Sequence, residues 1–282
     1  MTLTEKTYHV GERDIFVAEA GVGPAVVLLH GGGPGASGLS NYVRNIEPLS
    51  ERFRVIVPDM PGYGRSTKGI DQSDPFGDLA NSMRGLLDEL GLRSAHLVGN
   101  SYGASAALRL ALDTPGRVDR LVLMGPGGVG TTRALPTPGL GKLLTYYTGD
   151  GPSRAKLEEF IRSYLVHDGS AIPDKVIEER YQASIDPAVV ANPPLRRPSS
   201  LRTLRRMDFT RDRRLSQLRT PTLVIWGSND KVNRPSGGHT LARTMPNCDL
   251  LQVANTGHWV QWERAELFNA TLRTFLGIQE ES

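Results

Sequence analysis

The stretch Ala95-His96-Leu97-Val98-Gly99-Asn100-Ser101-Tyr102-Gly103-Ala104-Ser105-Ala106 decides the fold. Its first half is a short apolar run of the kind that buried strands use, and from Ser101 onward small residues and leucines continue to Asp113 at helical spacing. Between them, Gly99-Asn100-Ser101-Tyr102-Gly103 matches G-x-S-x-G. In a chain with 31 glycines the pentapeptide alone is weak evidence, but strand before and helix after give it the context of a sharp elbow. At such a turn the serine is held in strained backbone, and Gly99 and Gly103 let neighbouring backbone approach closely. The helix N-terminus beneath it offers positive potential to a developing oxyanion. Ser101 is therefore the candidate nucleophile.

A serine hydroxyl needs a base, and the base needs a third group to fix its tautomer. Of the six histidines, His258 is best placed, because it follows the strand-like Leu250–Val253 through Asn255-Thr256-Gly257 and precedes the last helical stretch. Asp230 lies just past the strand-like Thr222–Trp226, in Gly227-Ser228-Asn229-Asp230. Taken singly, an aspartate after a strand is usually a turn former or a cap, and a lone histidine is usually structural. The chain order Ser101, Asp230, His258 is the one expected of α/β-hydrolases. His9, His30, His96, His167 and His239 lack such a setting and are read as structural, and their spacing suggests no metal site.

Working outward, Ile15–Ala20 alternates like a half-buried antiparallel strand, while Ala25–Leu29, Arg54–Pro58, His96–Val98, Leu121–Met124 and Thr222–Trp226 read as buried strands. Helical patterns at Asp78–Leu90, Ser101–Asp113 and Ala265–Leu276 alternate with them, and Gly277 is a plausible C-cap. The fold class expected is an α/β-hydrolase fold, a mainly parallel sheet flanked by helices. From about Gly130 to Arg219 no comparable strand signal occurs, only helical segments such as Ser153–Leu165 and Asp174–Ala183 broken by Pro193, Pro194 and Pro198. Residues 130–219 are expected to form a helical cap inserted after the sixth core strand, with residues 1–129 and 220–282 as the core. Ligands in open α/β sheets bind at the carboxyl ends of strands, so such an insertion would roof the site.

The loop His30-Gly31-Gly32-Gly33-Pro34-Gly35-Ala36 after Ala25–Leu29 mimics a dinucleotide fingerprint. Pro34 removes a backbone donor from that loop, and Ser37–Tyr42 is not an evident helix, so a nucleotide cofactor is not expected. In a hydrolase the same loop would supply one oxyanion N–H from Gly32, alongside the N–H of Tyr102.

The loop extended through Gly38, with Ser40-Asn41-Tyr42 and Arg44-Asn45, then Gly99-Asn100-Ser101, Leu123-Met124-Gly125-Pro126-Gly127-Gly128, Trp226-Gly227 and Gly257-His258-Trp259-Val260-Gln261-Trp262-Glu263, resembles the meta-cleavage product hydrolases. These are α/β-hydrolases that split carbon–carbon bonds in ring-opened catechols, and the likeness spans nearly the whole core and part of the cap. The resemblance implies a small anionic 2-hydroxy-6-oxo-dienoate as substrate, a hydroxypentadienoate and a carboxylic acid as products, no cofactor or metal, and a homo-oligomer of two or more chains. It also implies substrate-binding residues Gly31, Asn41, Asn100, Arg180 and Trp259. The plainer readings are a surface i,i+4 ion pair for Arg180, core packing for Trp259 and a turn or helix cap for Asn41. Leu39 stands where the family often has Trp, and Tyr102 where Met is common, which leaves the acyl-side specificity open.

Hydrophobic content of 39% and charged content of 22% are ordinary for a globular protein of 282 residues. The net charge of +3 is the difference between 33 basic and 30 acidic residues and does not suggest a nucleic-acid binder. The arginine-rich part of the cap, from Arg196 to Arg219, has Phe209 as its only aromatic, too few for base stacking. It is read as a solvated, partly paired surface; the alternative is that its positive potential draws in an anionic dienoate. With Cys248 alone no intramolecular disulfide can form. Residues 1–10 lack the apolar core of a signal peptide, and no apolar run approaches membrane-spanning length, so a cytoplasmic protein is expected. An esterase or lactonase using the same triad is the alternative function.

Overall fold

The computed structural model describes residues 2–131 and 133–277. Eight strands form one sheet, β1 Thr4–Val10, β2 Arg13–Ala20, β3 Ala25–Leu29, β4 Arg54–Pro58, β5 Ala95–Asn100, β6 Val118–Met124, β7 Thr222–Gly227 and β8 Cys248–Val253. Their order is β1-β2-β4-β3-β5-β6-β7-β8. The pairs β1/β2 and β2/β4 are antiparallel and every later pair is parallel. Six of the eight are strands that the apolar runs mark in the sequence, and the last, β8, is the one ahead of His258. β1 is an addition. It is polar and mostly exposed, so it carries no burial pattern, and its register with β2 comes from the tight turn between Val10 and Arg13. A charged, solvent-facing strand is what a sheet edge tolerates.

Successive residues of the inner strands feed two separate cores. Ile15, Val17, Val27, Leu29 and Leu97 pack beneath the helices Pro75–Glu89 and Tyr102–Asp113. Phe16, Ala18, Val26, Leu28 and Val98 pack with Tyr42, Leu49 and the helix Ala265–Leu276 on the other face. Period-two alternation with both faces apolar is the signature of a sheet covered on both sides. The helix starts are locally encoded too. Asp74 caps Pro75–Glu89 by accepting from the Gly77 N–H, with Pro75 in the first turn where its missing donor costs nothing.

The chain leaves β3 for β4 on one side and β5 for β6 on the other. A crevice opens at the carboxyl ends where the winding direction reverses, and the loop after β3 and the elbow after β5 both end there. Between β6 and β7, among the described residues, there is no strand. Helices Pro138–Thr145, Arg154–Phe160, Asp174–Ser184, Pro187–Ala191 and Leu201–Arg206 fill the interval, and Ile161–Leu165 extends one of them as a π-helical turn. These helices have a third core of their own, Leu157, Phe160, Ile161 and Ile177 among it, which also takes in Trp259 and Trp262 from beyond β8. Ser37–Tyr42, which shows no evident helix by pattern, contains the short helix Gly38–Tyr42. A reciprocal capping box between Ser37 and Ser40 nucleates it, a local device that five residues are too few to reveal by periodicity. Among the described residues no helix is long and apolar enough to cross a membrane.

Candidate active site

Ser101 sits between β5 and the helix Tyr102–Asp113 with φ 53° and ψ −109°, left-handed backbone that a residue with a Cβ adopts only under constraint. The constraint is visible on both sides. The Ser101 N–H donates to the Met124 carbonyl at 2.7 Å, and the Ser105 hydroxyl and N–H both donate back to the Ser101 carbonyl. Gly99 and Gly103 are close-approach glycines, as expected. A Cβ on Gly99 would stand 2.5 Å from the backbone of Ala104, and one on Gly103 would stand 2.3 Å from the Leu29 carbonyl oxygen. Since the obstructing atoms are backbone, Gly99→Ala is expected to cost at least ~1–3 kcal/mol by overpacking. It should lower the thermal midpoint by several degrees, read by calorimetry; an unchanged midpoint would show that the elbow is looser than its contacts.

His258 follows β8 on a loop held from three directions. Its N–H donates to Leu165 O at 2.8 Å, its carbonyl accepts from Asn100 Nδ2 at 3.1 Å, and the preceding Gly257 N–H donates to Glu263 at 2.8 Å. The imidazole Nδ1 lies 2.7 Å from Asp230 Oδ2, with both side chains buried. Asp230 also accepts from Trp226 Nε1 at 2.9 Å and from the N–H groups of Val232 and Asn233 at 2.8 and 2.9 Å. Four donors on one carboxylate leave it no rotational freedom, and Nδ1 of His258 must carry a proton to be one of them. The Nε2 atom is buried without a hydrogen-bond partner and His258 lines the cavity that Ser101 lines. With the proton on Nδ1, Nε2 is the ring's free proton acceptor on a residue that lines that cavity.

Two cavities meet at Ser101, Gly32 and Leu143. The smaller, with about 290 Å³ of empty space, is lined by Gly31, Asn41, Asn100, His258, Trp259 and Arg180 among others. All the residues that the family resemblance singles out for substrate therefore share one wall system. The larger, about 520 Å³, is mostly apolar, with Phe76, Leu140, Leu195 and Met207 on its walls, and Tyr102 lines it. Tyr102 is the first residue of its helix, so its N–H has no intrahelical acceptor, and Gly32 borders both cavities. Asn41 lies inside the helix Gly38–Tyr42 and does not cap it; its Oδ1 is 3.5 Å from the Gly31 N–H nitrogen.

Arg180 is not a surface residue. It is 4% exposed, and its Nε and Nη2 both donate to the Pro34 carbonyl, at 3.1 and 2.9 Å. Among the described residues no carboxylate pairs with it. Burial pushes its pKa down to about 10, which still leaves it charged at neutral pH. Trp259 packs in the cap core, stacking on Trp262 at 4.6 Å, and it also lines the smaller cavity, with Arg180 5.6 Å from its ring. His30 is structural: Nδ1 donates to Gly31 O and Nε2 accepts from the Met60 N–H, the neutral tautomer that burial favours. In the arginine-rich segment, Arg211 pairs with Asp208 and Arg214 with Asp113 and Asp212, a partly paired surface. The pattern of the sequence does not announce Trp226 and Asn233 as holders of Asp230, the first by its indole N–H and the second by its backbone N–H, nor Arg133, which lines the larger cavity from irregular chain.

A family model described as alpha/beta hydrolase fold matches residues 24–148 and 152–265. A 2-hydroxy-6-oxo-6-phenylhexa-2,4-dienoate hydrolase of Burkholderia cepacia is 35% identical, covering 93% of this chain and 91% of that one. A 2-hydroxy-6-oxononadienedioate/2-hydroxy-6-oxononatrienedioate hydrolase of Comamonas testosteroni is 38% identical over the same shares, 93% and 91%. Among solved structures, a meta-cleavage product hydrolase mutant from Pseudomonas fluorescens IP01, complexed with acetates, superposes with a TM-score of 0.84 at 29% identity, covering 96% of this chain and 97% of that one. The chain belongs to the α/β-hydrolase family and, within it, to the 2-hydroxy-6-oxo-dienoate, or meta-cleavage product, hydrolases.

Proposed function

We propose that the protein hydrolyses the C5–C6 bond of 2-hydroxy-6-oxo-hexa-2,4-dienoates in the breakdown of aromatic compounds, with Ser101, His258 and Asp230 as its triad. One observation carries this beyond a generic acyl hydrolase. The buried guanidinium of Arg180, which no carboxylate among the described residues meets, shares a cavity with Ser101 and His258, and an uncharged ester would leave that charge uncompensated. A dienoate places its C1 carboxylate there and its C6 carbonyl at Ser101. The helices of residues 130–219 act as a lid on the core of residues 1–129 and 220–282. The cytoplasm is the location proposed from the sequence reading, and a homo-oligomer is the assembly that the family resemblance implies.

The dienol first becomes its keto tautomer, the 2-hydroxyl proton moving to C5, with Arg180, Asn41 and Asn100 holding the charged end and Trp259 packing beside it. Ser101 Oγ, or a water it orients, then adds to C6 as His258 Nε2 takes the proton. The N–H groups of Gly32 and Tyr102 stabilise the resulting oxyanion. The C5–C6 bond breaks with its electron pair passing through the enone onto the 2-oxo oxygen, and protonation there gives the hydroxypentadienoate. Water supplies the hydroxyl of the carboxylic acid, so the sum is one substrate and one water to two products.

A panel of yellow ring-opened catechols and nitrophenyl esters, followed by absorbance, tests the assignment. The dienoates are expected to win in kcat/KM by ~30- to 1,000-fold, the worth of one charge-assisted contact in a dry pocket. Esters winning by a wide margin would move the chain to the esterase or lactonase alternative.

A further inference from the structure

His258 has no regular element of its own. It stands in the chain between β8 and the four-residue helix Val260–Glu263, so its place depends on what that chain is tied to. Its N–H donates at 2.8 Å to the carbonyl of Leu165, the last residue of the π-helical turn, where helix carbonyls lack a donor within the helix. Glu263 completes the joint. One carboxylate oxygen, Oε1, accepts from the Gly257 N–H at 2.8 Å, and the other, Oε2, accepts from the His167 N–H at 2.7 Å. A single side chain thus bridges the residue before His258 and the cap chain just beyond the turn. The two backbones lie so close that a Cβ on Gly257 would stand 2.7 Å from the carbonyl carbon of Val166.

Glu263 is half-buried, and among the described residues no arginine or lysine pairs with it. Burial pushes its pKa up, against the pull of the N–H groups it accepts from, so those bonds offset only part of the cost of desolvating the charge. The cap segment it grips is a wall of the site. Phe160 and Leu165 line the smaller cavity together with Ser101, Arg180 and His258. The chain around Asp230 is tied to the cap as well: Thr137 Oγ1 donates to the Val232 carbonyl at 2.6 Å, and Lys231 Nζ donates to the Ser163 carbonyl at 2.9 Å.

From these contacts we infer that Glu263 is a positioning residue, which locks the His258 loop to the cap wall of the substrate cavity. The seat of the base is then set by the cap as well as by the core. The inference rests on the reading of His258 as the base that serves Ser101, and it adds a residue which that reading does not include. Glu263→Gln keeps the shape of the side chain but turns one oxygen into an NH2 that must face an N–H, so one of the two tethers is lost.

Glu263→Gln is expected to lower kcat by ~10- to 100-fold, the scale on which a misplaced catalytic group acts, with KM within about threefold of the parent. The loss should be equal on a dienoate and on nitrophenyl acetate, since both need His258 to take the proton. Glu263→Asp, which keeps the charge on a shorter stem, should fall between, and it carries the same measurements if Glu263→Gln does not fold. In a His258→Ala background the substitution should cost less than about twofold, because a residue that acts through His258 has nothing left to position. The low-field proton resonance of His258 Nδ1, identified by its loss in His258→Ala, should shift or broaden in Glu263→Gln. Near-parent kcat in Glu263→Gln, an equal loss with and without His258, or an unmoved resonance overturns the inference and leaves Glu263 as a structural tie. His258→Ala with parent turnover is a separate outcome, which fails the triad reading and takes the inference with it. Dienoates left uncleaved fail only the carbon–carbon reading, and the ester then judges Glu263 by the same criteria.

Discussion

Ser101→Ala is expected to fold as the parent does and to lose turnover by at least ~10³-fold, the scale on which removing an activated nucleophile acts. Its stability should change little. Among the described residues the Ser101 hydroxyl makes no hydrogen bond, and the left-handed backbone at φ 53° strains an alanine as much as a serine. The anchors of that conformation, the Met124 carbonyl and the Ser105 hydroxyl, address main-chain atoms and survive the change. The catalytic loss should be concentrated in kcat, since Arg180, Asn41 and Trp259 still bind substrate in the smaller cavity. Residues that act as one unit are strongly non-additive, so Ser101→Ala combined with His258→Ala should be little worse than either alone. Stopped-flow absorbance of a dienoate together with calorimetry reads both halves. A folded Ser101→Ala with near-parent turnover would remove Ser101 from the chemistry, and additive losses would mean that Ser101 and His258 do not work together.

What could be read in advance follows how local the determining physics is. The elbow is legible because a strand, two close-approach glycines and a helix start must sit within a dozen residues, and the contacts at Gly99 and Gly103 are the reason those positions admit no side chain. Asp230 and His258 are legible as post-strand residues in the right order, since strands of this sheet deliver their next residues to one edge. Arg180 is another matter. Its helix, Asp174–Ser184, is polar enough to read as a surface helix, and only the resemblance singles the residue out. The structure buries it because the helix lies against the glycine loop, where the Pro34 carbonyl accepts two of its donors. Arg133 escapes both routes, standing in irregular chain between β6 and Pro138–Thr145 where neither periodicity nor motif applies. β1 escapes for the opposite reason, an edge strand whose polarity hides it.

The second large effect is expected at Arg180. Negative charge grows on the 2-oxo end of a dienoate as the keto form develops and again as C5–C6 breaks, so a cation there holds the transition state more tightly than the substrate. Losing one such charge-assisted contact in a dry pocket should cost ~2–4 kcal/mol, or ~30- to 1,000-fold in rate. Arg180→Gln removes the charge and keeps part of the donor geometry. Arg180→Lys keeps the charge, yet an ammonium cannot hold the Pro34 carbonyl with two donors and face a carboxylate with a third side of the same plane. Both variants should lose most of kcat on dienoates, and nitrophenyl esters, which lack the distal anion, should suffer far less. Stability moves the other way from what an ion pair would predict. Because no carboxylate is left behind unpaired, removing a desolvated cation should leave the thermal midpoint unchanged or raise it. Near-parent dienoate kinetics in both variants, or equal losses on dienoates and esters, would take Arg180 out of substrate recognition and leave it as a strut between the cap and the glycine loop.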